Sequence, residues 1–149
     1  MTDNDKIRII ASNRKANYEY EILDKYESGI SLLGTEVKSL REGKANLSEA
    51  YGAVQKDEVW LMNLHINEYK YGNINNHDPM RKKKLLLNKR EIRKIKSHLE
   101  EKGLTFIPLK LYFKDSLVKL EMGIARGKKL YDKRESIKKR DTERRLKQL

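Results

Sequence analysis

Short runs in which apolar and polar side chains alternate dominate much of this chain. Tyr18, Tyr20 and Ile22 alternate with Glu19, Glu21 and Leu23, a period-2 pattern that predicts a half-buried strand. Residues 29–33 are apolar and β-branched enough for a second short strand. Thr35 is a candidate cap for a short helix carrying Val37 and Leu40 on one side and ending near Gly43. Residues 50–55 and 59–66 read as two strands around Lys56-Asp57-Glu58, a hairpin-like arrangement. Residues 73–79 are rich in Asn, Asp and Pro and predict a loop.

The clearest helix spans residues 88–102. Asn88 can cap it, Glu91 follows three residues later, and Gly103 stops it. Ile92, Ile95 and Leu99 are spaced for one buried stripe. Residues 105–113 and 117–125 are strand-like runs around Lys114-Asp115-Ser116. The pattern predicts a mainly β fold with accessory helices, arranged as a small β-barrel. Residues 1–12 read as a flexible leader, 13–125 as the β-barrel domain and 126–149 as a basic tail.

Charge sharpens this division. Of the formal net charge of +12, the segment 126–149 holds +7, from eleven Lys or Arg against four Asp or Glu. A segment this charged buries too little apolar surface to offset its ordering entropy, so it is expected to be disordered until it meets a polyanion. The uneven distribution argues for an RNA partner rather than for charge that merely solubilises. The absence of cysteine excludes disulfides, cysteine–zinc sites and thiol catalysis. No apolar run reaches the length of a membrane span, and the first five residues contain no signal-peptide core. No membrane partner is expected, and a cytoplasmic location is.

Among the motifs, Arg81-Lys82-Lys83-Lys84-Leu85-Leu86-Leu87-Asn88-Lys89-Arg90 places cations on both sides of a triple leucine. Any one leucine is expected in the core. The charges, with an exposed leucine beside them, would suit phosphates and an unstacked base or sugar. Asn13-Arg14-Lys15 and the group Lys38, Arg41 and Lys44 are further basic clusters. Gly123-Ile124-Ala125-Arg126-Gly127-Lys128-Lys129 departs from a nucleotide-binding loop: its glycines are one residue too close, and Lys129 stands where a Ser or Thr is needed. His65, His77 and His98 lack metal-ligand spacing, and no nucleophile–base constellation stands out. Neither a metal, a cofactor nor catalysis is expected.

Four ordered segments carry a resemblance. Asn13-Arg14-Lys15-Ala16, Gly34-Thr35-Glu36-Val37-Lys38-Ser39-Leu40-Arg41-Glu42-Gly43-Lys44, the run from Arg81 through Leu87, and Ala125-Arg126-Gly127-Lys128-Lys129-Leu130-Tyr131-Asp132-Lys133-Arg134 resemble the bacterial SsrA-binding protein family (small protein B, SmpB). The resemblance implies an oligonucleotide-binding-type closed antiparallel β-barrel. It implies an RNA-binding adaptor that holds the transfer-RNA-like domain of transfer-messenger RNA (tmRNA) and delivers it, with elongation factor Tu and GTP, to stalled ribosomes for trans-translation. A general ribosomal or RNA-chaperone protein without a dedicated tmRNA partner is the alternative.

Matched one by one, Glu27 falls in the family's Glu-x-Gly segment, Leu86 at the middle leucine, and Lys119 at the lysine of its penultimate-strand Val-Lys or Cys-Lys pair. These are the implied tmRNA contacts, with Asn13, Arg14 and Lys15 as weaker ones; core packing is the other role open to Leu86. A carboxylate only accepts hydrogen bonds, so Glu27 should meet a base or sugar edge rather than a phosphate. Lys128, Lys129, Asp132, Lys133 and Arg134 match the tail motif implied to enter the decoding region of ribosomal RNA, ahead of the segment implied to occupy the message channel. Tyr131 stands where some relatives carry His, which keeps stacking and puts protonation near neutral pH in doubt. The tail is expected to become helical in that channel.

Overall fold

The structure is a computed structural model in which residues 6–72 and 76–128 are described. The elements run β1 (Ile7–Ser12), α1 (Ala16–Glu19), β2 (Tyr20–Ile30), α2 (Gly34–Arg41), β3 (Ala45–Asn46), β4 (Tyr51–Gln55), β5 (Glu58–Met62), β6 (His65–Ile66), β7 (Lys83–Leu86), α3 (Lys89–Glu100), β8 (Leu104–Lys114) and β9 (Leu117–Gly127). The fold is mainly β with few helices, as expected. Seven strands form a sheet in the order β1-β8-β4-β5-β7-β2-β9, β8 also pairing with β9, and β3 and β6 form a separate pair. All of these pairings are antiparallel.

Several boundaries differ from the sequence reading, each for a physical reason. Residues 7–12 are not a loose leader, because their backbone pairs with β8 from Ile7 opposite Lys114 to Ser12 opposite Lys110. Their apolar side chains give a hint, but Ile7 and Ile9 remain exposed; the pairing is a backbone event that periodicity does not report. Tyr18 lies in α1, and the two short strands predicted on either side of residues 24–28 are one continuous β2. A register shift between Ile22 and Asp24 in the β2–β9 pairing breaks the alternation there. Leu33 caps α2 in place of Thr35: its backbone N–H donates to the Glu36 carboxylate at 2.7 Å. The sequence pattern does not reveal β7 as a strand, since charge masks its alternation. The tail expected to be disordered over 126–149 starts later, because Arg126 and Gly127 pair with β2 at the end of β9; residues 129–149 lie outside the described residues.

The hairpin β4–β5 turns at Lys56 and Asp57, both at positive φ (50° and 61°), as its right-handed twist demands. At Gly52 the backbone of β4 lies so close to β8 that any side chain would run into the Phe106 ring. The core gathers Leu40, Val59, Leu61, Leu85, Ile95, Phe106, Leu111, Leu120, Met122 and Ile124 from strands and two helices. Ile95 is fully buried, with Ile92 and Leu99 packed beside it, so the predicted stripe of α3 faces the core. Asn88 and Glu91 cap that helix reciprocally: Glu91 N–H donates to Asn88 Oδ1 at 2.8 Å, and Asn88 N–H to Glu91 Oε1 at 3.2 Å.

A buried ionic cluster fixes β7 against α2. The Glu36 carboxylate is fully buried and accepts from Arg81 Nη2 at 2.6 Å and Arg81 Nε at 3.2 Å. Lys83 is equally buried, its Nζ 3.7 Å from Glu36 and donating to the carbonyls of Arg81 (2.5 Å) and Leu64 (3.2 Å). Burial acts to raise the Glu36 carboxyl, but hydrogen bonds from Arg81 and Leu33 and the charges of Arg81 and Lys83 outweigh it and hold the group below its ordinary value. Burial pushes the Lys83 ammonium down, with Glu36 opposing. His77, also buried, bonds Thr35 Oγ1 and the Ile66 carbonyl, each at 2.9 Å. The Ile66 carbonyl can only accept, so Nε2 carries a proton. Arg81 and Lys83, read from sequence as RNA-facing charge, are therefore structural.

Candidate nucleic-acid interface

The four residues of β7 alternate strictly. Lys83 and Leu85 face inward at 0% and 1% exposure, which sends Lys84 and Leu86 outward. Burying one leucine stabilises by about 1.5–3 kcal/mol, and a slip of one residue would exchange Leu85 for Leu86 and strand the Glu36 partner Lys83 in solvent. The register is thus pinned, and Leu86 is left 54% exposed. Core packing, the other role open to this leucine, is taken by its two neighbours: Leu85 lies in the core and Leu87 packs against it.

Leu86 lies opposite Gly29 of β2, and Gly29 lies opposite Lys119 of β9. A Cβ at Gly29 would sit 3.2 Å from Leu86 Cβ and 3.3 Å from its Cδ1, so the missing side chain lets Leu86 lie close over β2. Leu86, Gly29 and Lys119 consequently line one surface depression, of about 310 Å³, together with the 62% exposed Leu117. Sequence reasoning misses Leu117; its only signal is an apolar residue immediately after the Asp115-Ser116 turn.

Glu27 is two residues from Gly29 on the same face of β2, opposite Glu121 of β9. Its carboxylate accepts from the Tyr112 hydroxyl at 2.5 Å through Oε2 and from Lys114 Nζ at 3.5 Å through Oε1. The Tyr112 hydrogen bond, aided by Lys114 and Lys119, outweighs desolvation and keeps Glu27 below the usual carboxylate range. Burial and the adjoining Glu27 push the Tyr112 phenol up, so it stays a donor. Tyr112 is also opposite Lys119 in the β8–β9 pairing. The result is a fixed acceptor, an apolar contact and a cation on one face: Glu27, Leu86 and Lys119. Tyr112, absent from the sequence reading, orients the carboxylate.

The N-terminal basic motif is elsewhere. Asn13 is committed to β8, its backbone N–H donating to Leu109 O at 2.9 Å and its Nδ2 to Pro108 O at 3.0 Å. That contact falls where the β8–β9 register shifts between Pro108 and Lys110. Arg14 and Lys15 are exposed, and Asn13 and Lys15 line a cleft with Tyr20, Tyr51 and Thr105. Tyr20 and Glu27 are seven residues apart on one strand, which separates the clusters by roughly 20 Å. Of the six tail-motif residues, Lys128 alone is described; its N–H donates to Glu19 O and its Nζ to Asn17 O, both at 2.9 Å. Lys129, Tyr131, Asp132, Lys133 and Arg134 lie outside the described residues. Among the described residues no cluster of three potential metal ligands occurs, and no helix is long and apolar enough to cross a membrane.

Comparison with known proteins places the chain in a family. Residues 10–149 match the family model described as SmpB protein. The SsrA-binding protein of Carboxydothermus hydrogenoformans is 53% identical over 139 residues, covering 93% of each chain. That of Syntrophobacter fumaroxidans is 54% identical over 145 residues, covering 97% of this chain and 90% of its own. Among solved structures, a chain described under "tmRNA-SmpB: a journey to the center of the bacterial ribosome" superposes with a TM-score of 0.70 at 46% identity, covering 85% of this chain and 93% of that one. Family model, relatives and superposed structure converge over nearly the whole length, and the chain belongs to the SmpB family.

Proposed function

We propose that this chain is a non-enzymatic RNA-binding adaptor that holds the transfer-RNA-like domain of tmRNA and delivers it to stalled ribosomes in trans-translation. The observation that carries the reading is the meeting of Glu27, Leu86 and Lys119 around Gly29. An ionised carboxylate held by Tyr112 is a hydrogen-bond acceptor aimed at base or ribose donors and repels phosphate. The exposed leucine offers an apolar contact to an unstacked base or sugar, and Lys119 supplies charge for the backbone. Such a mixture suits a folded RNA with splayed bases better than a uniform helix.

The chain of pairings β8-β4-β5-β7-β2-β9 with β9 returning to β8 supports reading the sheet as a closed oligonucleotide-binding-type barrel. The face built by β2, β7 and β9 takes tmRNA. The basic segment beyond Lys128 engages ribosomal RNA of the decoding centre and an empty message channel, where bound mRNA would exclude it sterically and electrostatically. Elongation factor Tu with GTP is reached through tmRNA, and the work is cytoplasmic. Single substitutions test the tmRNA face. Glu27→Gln, Leu86→Ala and Lys119→Gln should each weaken binding to the transfer-RNA-like domain about tenfold or more. Leu86→Ala should leave stability within about 0.5 kcal/mol because the side chain is largely exposed. Affinity unchanged in all three variants would contradict the assignment.

A further inference from the structure

We propose that the RNA-binding surface continues beyond Leu86 across β7 to Trp60, whose indole stacks on a nucleobase while Lys82 and Lys84 hold the flanking phosphates. The inference rests on the adaptor reading above and adds an aromatic contact to it.

Placement comes first. Trp60 lies opposite Lys84 in the β5–β7 pairing, and Lys84 leaves β7 on the same outer face as Leu86. Trp60 is therefore one strand across and two residues along from Leu86, about 5 Å by about 7 Å, within the reach of one or two nucleotides. Its neighbours Val59 and Leu61 are fully buried and supply the core contact of β5. Trp60 is only partly buried, on the face that also carries Leu86 and Lys84.

Charge comes second. Lys82 Nζ rests 4.5 Å from the centroid of the indole, and its other polar contact is Gln55 Oε1 at 3.4 Å. Among the described residues no carboxylate forms an ion pair with it. Lys84 pairs with Glu58 at 3.2 Å, but both side chains are 43% exposed, and such exposed pairs are weak enough for a phosphate to replace the carboxylate. A partly open indole with two available ammonium groups is the combination that single-stranded RNA recognises, bases on the ring and backbone on the cations. If Trp60 served only to brace the β4–β5–β7 surface under the Lys82 stem, RNA would leave its environment unchanged.

Trp60 is the only tryptophan in the chain, so emission reports this position alone. The experiment titrates the full-length protein with the isolated transfer-RNA-like domain, following anisotropy of end-labelled RNA, tryptophan emission and acrylamide quenching together. Emission should change and acrylamide quenching should fall severalfold, both saturating with the anisotropy curve. Trp60→Phe should bind within about threefold of the parent and Trp60→Ala roughly 5- to 100-fold more weakly. Lys82→Gln should reduce the slope of log affinity against log salt by about 0.7–0.9. Should Trp60→Ala fail to fold, the emission and Lys82→Gln results decide alone. Saturating anisotropy with unaltered emission, quenching and salt slope would overturn the proposal while leaving the adaptor reading intact. RNA that gives no anisotropy change at all would remove both.

Discussion

Leu86 and Lys83 show how much rests on single side chains. They are three residues apart on a four-residue strand, yet one is exposed to solvent beside a glycine and the other is a fully buried cation. Glu36 accounts for the second, since without a carboxylate on α2 an ammonium inside the core would be intolerable. Removing that partner is therefore expected to be expensive. Glu36→Gln should lower unfolding free energy by about 3–5 kcal/mol, and adding Lys83→Met to that variant should recover part of the loss. The pH dependence has a definite sign. The Glu36 carboxyl is held below 4.5 in the folded protein, so below 4.5 the unfolded chain takes up protons first. Its stabilisation is complete above that value and is lost as pH falls through the folded pKa. Lys83, held below 10.5, adds stability as pH rises toward 10.5, because there the unfolded chain binds more protons. Urea unfolding of parent and Glu36→Gln at several pH values measures both; an acid limb identical in the two proteins would contradict these assignments.

At the scale of elements, legibility follows how local the determinants are. The helix α3 is readable because Asn88, Glu91, the stripe of Ile92, Ile95 and Leu99, and Gly103 are all near in sequence. Asn88→Ala should cost about 1 kcal/mol in thermal or urea unfolding; no loss would mean that the reciprocal cap contributes nothing. The strands β8 and β9 are likewise readable from their own patterns. By contrast β1 depends on β8, about a hundred residues away, and its outward isoleucines carry no burial signal. The inward lysine of β7 breaks hydrophobic alternation, so only the partner on α2 reveals the strand. The same distance effect governs the site. Glu27, Leu86 and Lys119 follow from family resemblance, whereas Tyr112, Gly29 as a clearance for Leu86, and the separation of Asn13 from them require the pairings of β2 with β7 and β9.

In the proposed function the whole molecule divides two tasks between two parts: the outer face of the sheet would hold tmRNA, and the segment that follows it would engage the ribosome. The junction is sharper than charge alone implies. The sheet runs past residue 126, since β9 extends to Gly127 opposite Tyr20 and the Lys128 N–H still bonds Glu19. A truncation that respects the fold should end at Lys128. It is expected to leave affinity for the transfer-RNA-like domain within about threefold and to abolish peptide tagging on stalled ribosomes. Parallel loss of both would contradict the division. The formal charge of +12 also guarantees some affinity for any polyanion, and phosphate contacts alone would make every RNA bind in a salt-dependent way. Selectivity is where a dedicated adaptor and a generic basic protein part.

The decisive experiment is therefore competition at physiological salt. Purified protein bound to the labelled transfer-RNA-like domain of tmRNA is challenged with a large excess of bulk transfer RNA. A dedicated adaptor keeps its complex through the challenge and yields only to the unlabelled domain itself, which is the expected result. Equal displacement by both RNAs would contradict the proposed function and leave a basic RNA-binding protein without a dedicated partner.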